Sequence, residues 1–248
     1  SPRRENFYAL GFQNSNYAIQ ENINSFAGEL KSVLGKNMFN HLSVSYCRHD
    51  ESREKPEKIF PFVDILKDGA VYTSFGTEIF TPYSSLKYST FEINECLNYI
   101  YANHLLLFGA EFEKYQSEDC FFPGSQGIFV YYSLEDFYSD ARGYLQNPER
   151  EYSDVRLKRF IYRYSNIPGQ EVPVQPLEIY RTGVFVQDRW KLTESLKLTF
   201  GLRMDIPSYK NTGYKNSDVD DLFFLDEKGN QVQYSTDELP KTNIHYSP

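Results

Sequence analysis

Cysteine is scarce in this chain and does not cluster. Cys47, Cys96 and Cys120 are isolated and odd in number among 248 residues, which excludes a zinc-type ligand group and a disulfide framework. Long apolar runs are missing too. No stretch reaches the roughly 18 apolar residues of an ordinary transmembrane helix, so that element is excluded. A transmembrane β-strand is not, because its signal is short, alternating and weak. Basic charge is in deficit: 26 Lys and Arg against 34 Asp and Glu leave a net charge of -8, which disfavours nucleic acid as a partner. The four histidines, His41, His49, His104 and His245, are scattered and form no HExxH or triad motif. The opening SPRRENFYALGF has no initiator Met and no apolar signal-peptide core, and the chain stops at IHYSP just after a loop-like stretch. Both ends read as cut from something longer.

Aromatic side chains are abundant instead. Twenty-one Tyr, 20 Phe and one Trp make 17% of the chain, although hydrophobic residues total only 40%. That load argues against wholesale disorder. Period-two alternation recurs and helical periodicity is rare. In residues 196–204, Leu196, Leu198, Phe200, Leu202 and Met204 point one way, and Lys197, Thr199, Gly201 and Arg203 point the other. A strand over residues 177–190 precedes it, with Tyr180, Thr182, Val184, Val186, Asp188 and Trp190 on one face. The short link KLTES predicts an antiparallel hairpin. Trp190 at the turn fits a membrane interface and fits equally a lid over an ordinary core.

Two earlier hairpins share the pattern. Residues 17–34 and 40–48 are joined by GKNMF, and residues 86–97 and 104–115 by NYIYAN. The connections between hairpins are long. Residues 50–83 begin with the charged ESREKPEK and carry turns at Gly69 and Gly76. Residues 116–176 hold a strand-like stretch at 127–132, a short helix behind the capping pair Ser133 and Asp136, a further strand at 156–164, and breakers at Pro168, Gly169, Pro173 and Pro176. The tail after Pro207 is polar, with DEKGN as a turn. Short turns alternating with long loops predict an all-β antiparallel meander from a large transmembrane barrel, with short periplasmic turns and long extracellular loops.

The segment GVFVQDRWKLTESLKLTFGLRMDIP, residues 183–207, resembles the barrel hairpin of TonB-dependent outer-membrane receptors, especially the Oar-like and SusC-like members of the Bacteroidota. The motif is carried by Phe185, Val186, Gln187, Asp188, Trp190, Leu196, Leu198, Gly201, Arg203 and Asp205. ANHLLLFGAEFEKY and GIFVYYSLEDF are similar to the same barrel less strictly. The resemblance implies a barrel of roughly 22 strands closed by a plug, with residues 1–248 as part of the barrel and no plug domain in the chain. It implies TonB-dependent uptake of a large or scarce solute such as an oligosaccharide, peptide or chelated metal. The implied location is the outer membrane of a Gram-negative bacterium. The implied partners are the TonB complex through an N-terminal part outside this chain, a SusD-like surface lipoprotein, and outer-membrane lipid.

Within the motif, Gln187, Asp188, Trp190, Gly201, Arg203 and Asp205 are expected to be structural, with Arg203 and Asp205 pairing to neighbours such as Asp188 or Arg189. Gly201 makes room for the plug or eases strand curvature. Loop residues on a rigid scaffold carry binding disproportionately, so the candidates for ligand contact are Tyr72, Phe75, Phe121, Phe122, Tyr131, Tyr132, Phe137 and Tyr138. The alternative is that these rings pack on one another and hold the loops in shape. Asp218, Asp220 and Asp221 fail the calcium-loop pattern, and Glu111 and Glu113 share one strand face without an opposed partner. No cofactor or metal site and no enzyme are expected. A surface adhesion barrel without transport is the alternative function, and a soluble antiparallel β domain is a third reading that needs the 196–204 face covered by protein.

Overall fold

The computed structural model describes residues 10–11, 17–53, 58–167, 169–210 and 213–248. Pro168, most of the opening segment and the centre of ESREKPEK lie outside the described residues. The described strands, in chain order, are β1 (Leu10–Gly11), β2 (Ile19–Val33), β3 (Met38–Arg53), β4 (Phe62–Lys67), β5 (Ala70–Phe75), β6 (Ser85–Tyr101), β7 (His104–Cys120), β8 (Ile128–Tyr131), β9 (Arg159–Ile161), β10 (Gln175–Lys191), β11 (Lys197–Lys210), β12 (Phe224–Leu225), β13 (Gln231–Val232) and β14 (His245–Ser247). Helix α1 (Leu134–Gln146) follows β8, and the single turn α2 (Ser217–Asp220) follows β11.

These strands form three separate sheets. The expected fold, one antiparallel meander cut from a barrel of roughly 22 strands, is therefore corrected. The sheets are unclosed, and one of them mixes parallel with antiparallel pairs. The cause lies in the long connections, which carry enough apolar residues to build a core of their own. The chain divides into two compact units, neither continuous in sequence.

The first unit comprises Ser1–Glu21, Glu51–Leu86 and Asp119–Val174. Its five-stranded sheet runs β1-β5-β4-β8-β9. Strands β4 and β5 close a hairpin over Asp68 and Gly69, both at positive φ. Strand β8 then joins β4 in parallel, with Phe62 opposite Ile128 and Ile65 opposite Tyr131. Val63, Ile65 and Tyr131 are buried together, with Phe75, Leu134 and Phe137 packed on them. Leu66, Ile128 and Val130 form a second cluster. The short helix expected behind Ser133 is a full 13 residues, capped by the Ser133 side chain accepting from the Asp136 N–H. The strand expected at 156–164 shrinks to Arg159–Ile161.

Buried Asp140 of α1 gathers this unit's polar contacts. Tyr131 Oη donates to Asp140 Oδ2 at 2.6 Å, and Arg150 and Ser153 donate to Oδ1. Burial, and then the hydrogen bond to this carboxylate, push the Tyr131 phenol well above its usual range. A raised folded-state pKa contributes stability that is fully present below the unfolded value of about 10 and is lost as pH climbs through the folded one. Tyr131→Phe is expected to cost about 1 kcal/mol at neutral pH, since Asp140 keeps two of its three donors. It should also blunt the alkaline loss of stability above about pH 10. Urea unfolding at pH 7 and pH 11 checks both.

The second unit comprises Asn22–Asp50, Lys87–Glu118 and Gln175–Pro248. It is built on the seven-stranded sheet β14-β11-β10-β7-β6-β3-β2. Strands β10 and β11 pair antiparallel without a break from Glu178 opposite Lys210 to Lys191 opposite Lys197. The hairpin read from 177–190 and 196–204 is thus formed, with the Thr193 hydroxyl accepting from the Leu196 N–H at 3.0 Å inside its turn. The two earlier hairpins form with tighter turns than expected. Met38 and Phe39 belong to β3, and the NYIY of NYIYAN belongs to β6, leaving Ala102 and Asn103 as the turn. In the tail, β12 and β13 flank the DEKGN turn, where Asp226 accepts from the backbone of Lys228 and Asn230 at 2.8 Å.

The two units bury their side chains differently. Every buried hydrophobic side chain among the described residues, from Val63 to Tyr131, lies in the first unit. Among the described residues of the seven-stranded sheet, only Cys120 at the end of β7 is such a side chain, and it falls in the first unit; the part of the sheet within the second unit has none.

Candidate functional site

Alternation divides the seven-stranded sheet into two faces of opposite character. On the apolar face Trp190 opposes Leu198, Val186 opposes Leu202 and Val184 opposes Met204. Phe200 is 57% exposed and Leu202 54%. Val184, Val186, Leu198 and Phe108 are exposed as well. Ordinary soluble domains leave single apolar residues in water but rarely a contiguous field of them.

Amphipathic rings border this field. At the short-turn end, the His104 ring stacks on Trp190 at 5.4 Å, and its Nδ1 lies 2.7 Å from Asp188 Oδ2. At the other end, Tyr180 lies against Phe112 at 6.2 Å, and Lys114 and Lys210 approach its ring at 5.6 and 5.1 Å. Trp190 and Tyr180 are ten residues apart on β10. At about 3.4 Å per residue that is about 34 Å of strand. A strand tilt of about 40° reduces it to about 26 Å of height, matching the apolar band of about 25 Å on outer-membrane barrels.

The opposite face is polar and interlocked. Arg203 holds Asp205 through two bonds of 2.7 Å and reaches Glu111 Oε2 on β7 at 2.5 Å. Between them lies β10, and Gly183 makes the crossing possible. A Cβ there would sit 2.8 Å from Arg203 Nη2 and 2.9 Å from Asp205 Oδ1. Phe185 folds over Gly109 in the same way, since a Cβ on Gly109 would meet its ring at 2.0 Å. Arg181 pairs with Glu113 at 2.6 Å. His49 contacts the Tyr88 hydroxyl at 2.6 Å, and Ser45 donates to Glu92. These groups satisfy one another and leave a wettable surface. Among the described residues no group of three or more metal-type side chains converges.

The motif residues divide between the faces. Gln187 opposes Gly201 on the polar side, and a Cβ on Gly201 would lie 2.8 Å from the Val186 carbonyl oxygen, so strand approach is what glycine permits there. The expected pairing of Arg203 and Asp205 with Asp188 or Arg189 is replaced by Arg203 pairing with both Asp205 and Glu111. Asp188 opposes Phe200 on the other face, where His104 holds it. The sequence does not mark Glu111 and Gly183 as partners. Their alternation with apolar neighbours shows the face, but the contact runs across an intervening strand.

The loop aromatics also split. Phe75 and Tyr131 each meet Phe137 edge-on at 5.4 Å, and Phe122 is buried. Packing occupies those four. Tyr72, Phe121, Tyr132 and Tyr138 stay exposed, with Phe121 stacked on Phe80 at 5.9 Å and Lys67 over Tyr72 at 5.8 Å. No ring contact among the described residues joins these exposed four to one another.

No curated protein and no solved structure matches the chain. A family profile does, that of the outer membrane beta barrel domain, and it spans residues 3–246. With nearly the whole length matched, and an exposed apolar band on one face of the long-stranded sheet, the chain belongs to the outer membrane beta barrel domain family.

Proposed function

We propose that this chain supplies wall and external surface to an outer-membrane nutrient receptor that imports a large or scarce solute under TonB drive. The observation that carries the reading is the second unit's long-stranded sheet, which among the described residues has no buried hydrophobic side chain and carries an exposed apolar band. Acyl chains cover that band, so Leu198, Phe200 and Leu202 need no protein behind them. The polar face, tied together by Arg203, Glu111 and Asp205, lines a hydrated interior. The finer assignment to TonB-dependent, Oar-like or SusC-like receptors of the Bacteroidota rests on the 183–207 hairpin motif. That assignment names the TonB complex and a SusD-like lipoprotein as partners. The solute is an oligosaccharide, a peptide or a chelated metal, and Tyr72, Phe121, Tyr132 and Tyr138 are the candidate rings left exposed to meet it. The protein binds and transports without covalent chemistry.

Uptake by cells carrying the protein, with and without TonB, is the test. Solute accumulation that collapses when TonB is removed supports energised import. Accumulation that is unchanged overturns it. Surface binding with no accumulation in either strain marks an adhesion barrel instead.

A further inference from the structure

Beyond the Tyr180 rim, the second unit has a hollow. It measures about 330 Å³, and its lining includes Tyr46 and Arg48 of β3, Lys87 and Ser89 of β6, Gln116 and Glu118 of β7, and Glu178 of β10. Alternation places it on the apolar side of the sheet: Tyr46 and Arg48 continue the row of Leu42 and Val44, and Gln116 continues the row of Phe112 and Lys114. Ser89 gives it depth, as a small side chain among long ones. The hollow therefore adjoins the apolar band and faces the same way.

Arg48 and Lys87 balance Glu118 and Glu178 in the lining, and the two further lysines around Tyr180 tip the surroundings toward an anion. Arg48 is exposed and makes no ion pair among the described residues, and Lys87 reaches Asp50 only at 4.0 Å. Lys114 and Lys210 stand nearby around Tyr180. Of the carboxylates, Glu178 is already engaged by Gln116 at 2.7 Å and by the Tyr180 hydroxyl. A guanidinium fork beside an ammonium suits a phosphate, and the adjoining apolar field suits hydrocarbon. A free anion would use only the first of these features.

We propose that this hollow binds the phosphorylated headgroup of an outer-leaflet lipid, whose acyl chains lie along the apolar band. The inference rests on the wall reading given under the proposed function. Protein extracted from outer membranes in mild detergent is probed with bisphosphorylated lipid A, and binding is read by native mass spectrometry. Saturable binding is expected, weakened about tenfold or more by removing the lipid phosphates and by the double substitution Arg48→Gln with Lys87→Gln. Ser89→Tyr, which fills the floor and keeps both cations, should weaken it similarly. Equal binding by the wild type and by both variants that insert into vesicles overturns the site and leaves the wall reading intact. Competition by millimolar inorganic phosphate overturns the lipid assignment in favour of a plain anion site. A wild-type protein that does not insert into vesicles overturns the wall reading, and this inference with it.

Discussion

Leu202→Arg is expected to destabilise the protein in a bilayer by about 2–4 kcal/mol, the cost of a cation near the midplane on the lipid face of a barrel. Leu202 opposes Val186, near the centre of the span between Trp190 and Tyr180. It is 54% exposed. In water the same substitution at an exposed position falls within about 0.5 kcal/mol of neutral. The two environments thus differ by far more than the error of a denaturant titration. Refolding into vesicles, with the neighbour Arg203→Leu as the opposite-face control, measures the difference. Arg203→Leu loses stability for another reason, because it strands Glu111 and Asp205 without their shared cation.

Gly76→Ala is expected to have an effect of similar size in the first unit. Gly76 has φ +97, and a Cβ there would lie 1.9 Å from the Pro61 carbonyl oxygen and 2.9 Å from its carbon. Those atoms are backbone and cannot turn aside as a flexible side chain can. Displacing them disturbs the bonds of Phe60 to Thr77, one at 2.8 Å to the hydroxyl and one at 3.3 Å between backbones. Backbone strain of about 1–2 kcal/mol and overpacking of about 1–3 kcal/mol together put the cost near 3 kcal/mol. Gly69→Ala supplies the control, since its φ of +81 is similarly strained but nothing lies within 4 Å of the added carbon. It should cost only the strain. Hydrogen exchange of the β4 and β5 amides reads both variants, and equal protection in the two would contradict the close-approach explanation.

What was legible in the sequence was whatever depends on near neighbours. The alternation of residues 196–204 and 177–190 marked a hairpin because side-chain direction repeats every two residues, and a five-residue link leaves little freedom. The Ser133 cap was visible for the same local reason. The pairing of β4 with β8 was not, because it joins residues 62–65 to 128–131 in parallel, and alternation carries no information on which distant strand is the partner. That missing information turned an expected single meander into three sheets. In the site, Arg203 and Asp205 were identifiable by type, yet Glu111 was not, because the salt bridge crosses β10 over Gly183. Likewise the aromatic content of the long connections was plain, while the division between Phe137 in a core and Phe121 at the surface required their folded surroundings.

The most direct measurement is collision accessibility of spin labels placed one at a time from position 198 to 205 with the protein in lipid vesicles. Labels at Leu198, Phe200, Leu202 and Met204 should favour oxygen, which concentrates in hydrocarbon, and those at Thr199, Gly201, Arg203 and Asp205 should favour a polar nickel chelate. A regular period of two is the expected result. Uniform access to the chelate along the strand, with the even positions as wet as the odd ones, would contradict a lipid-facing wall.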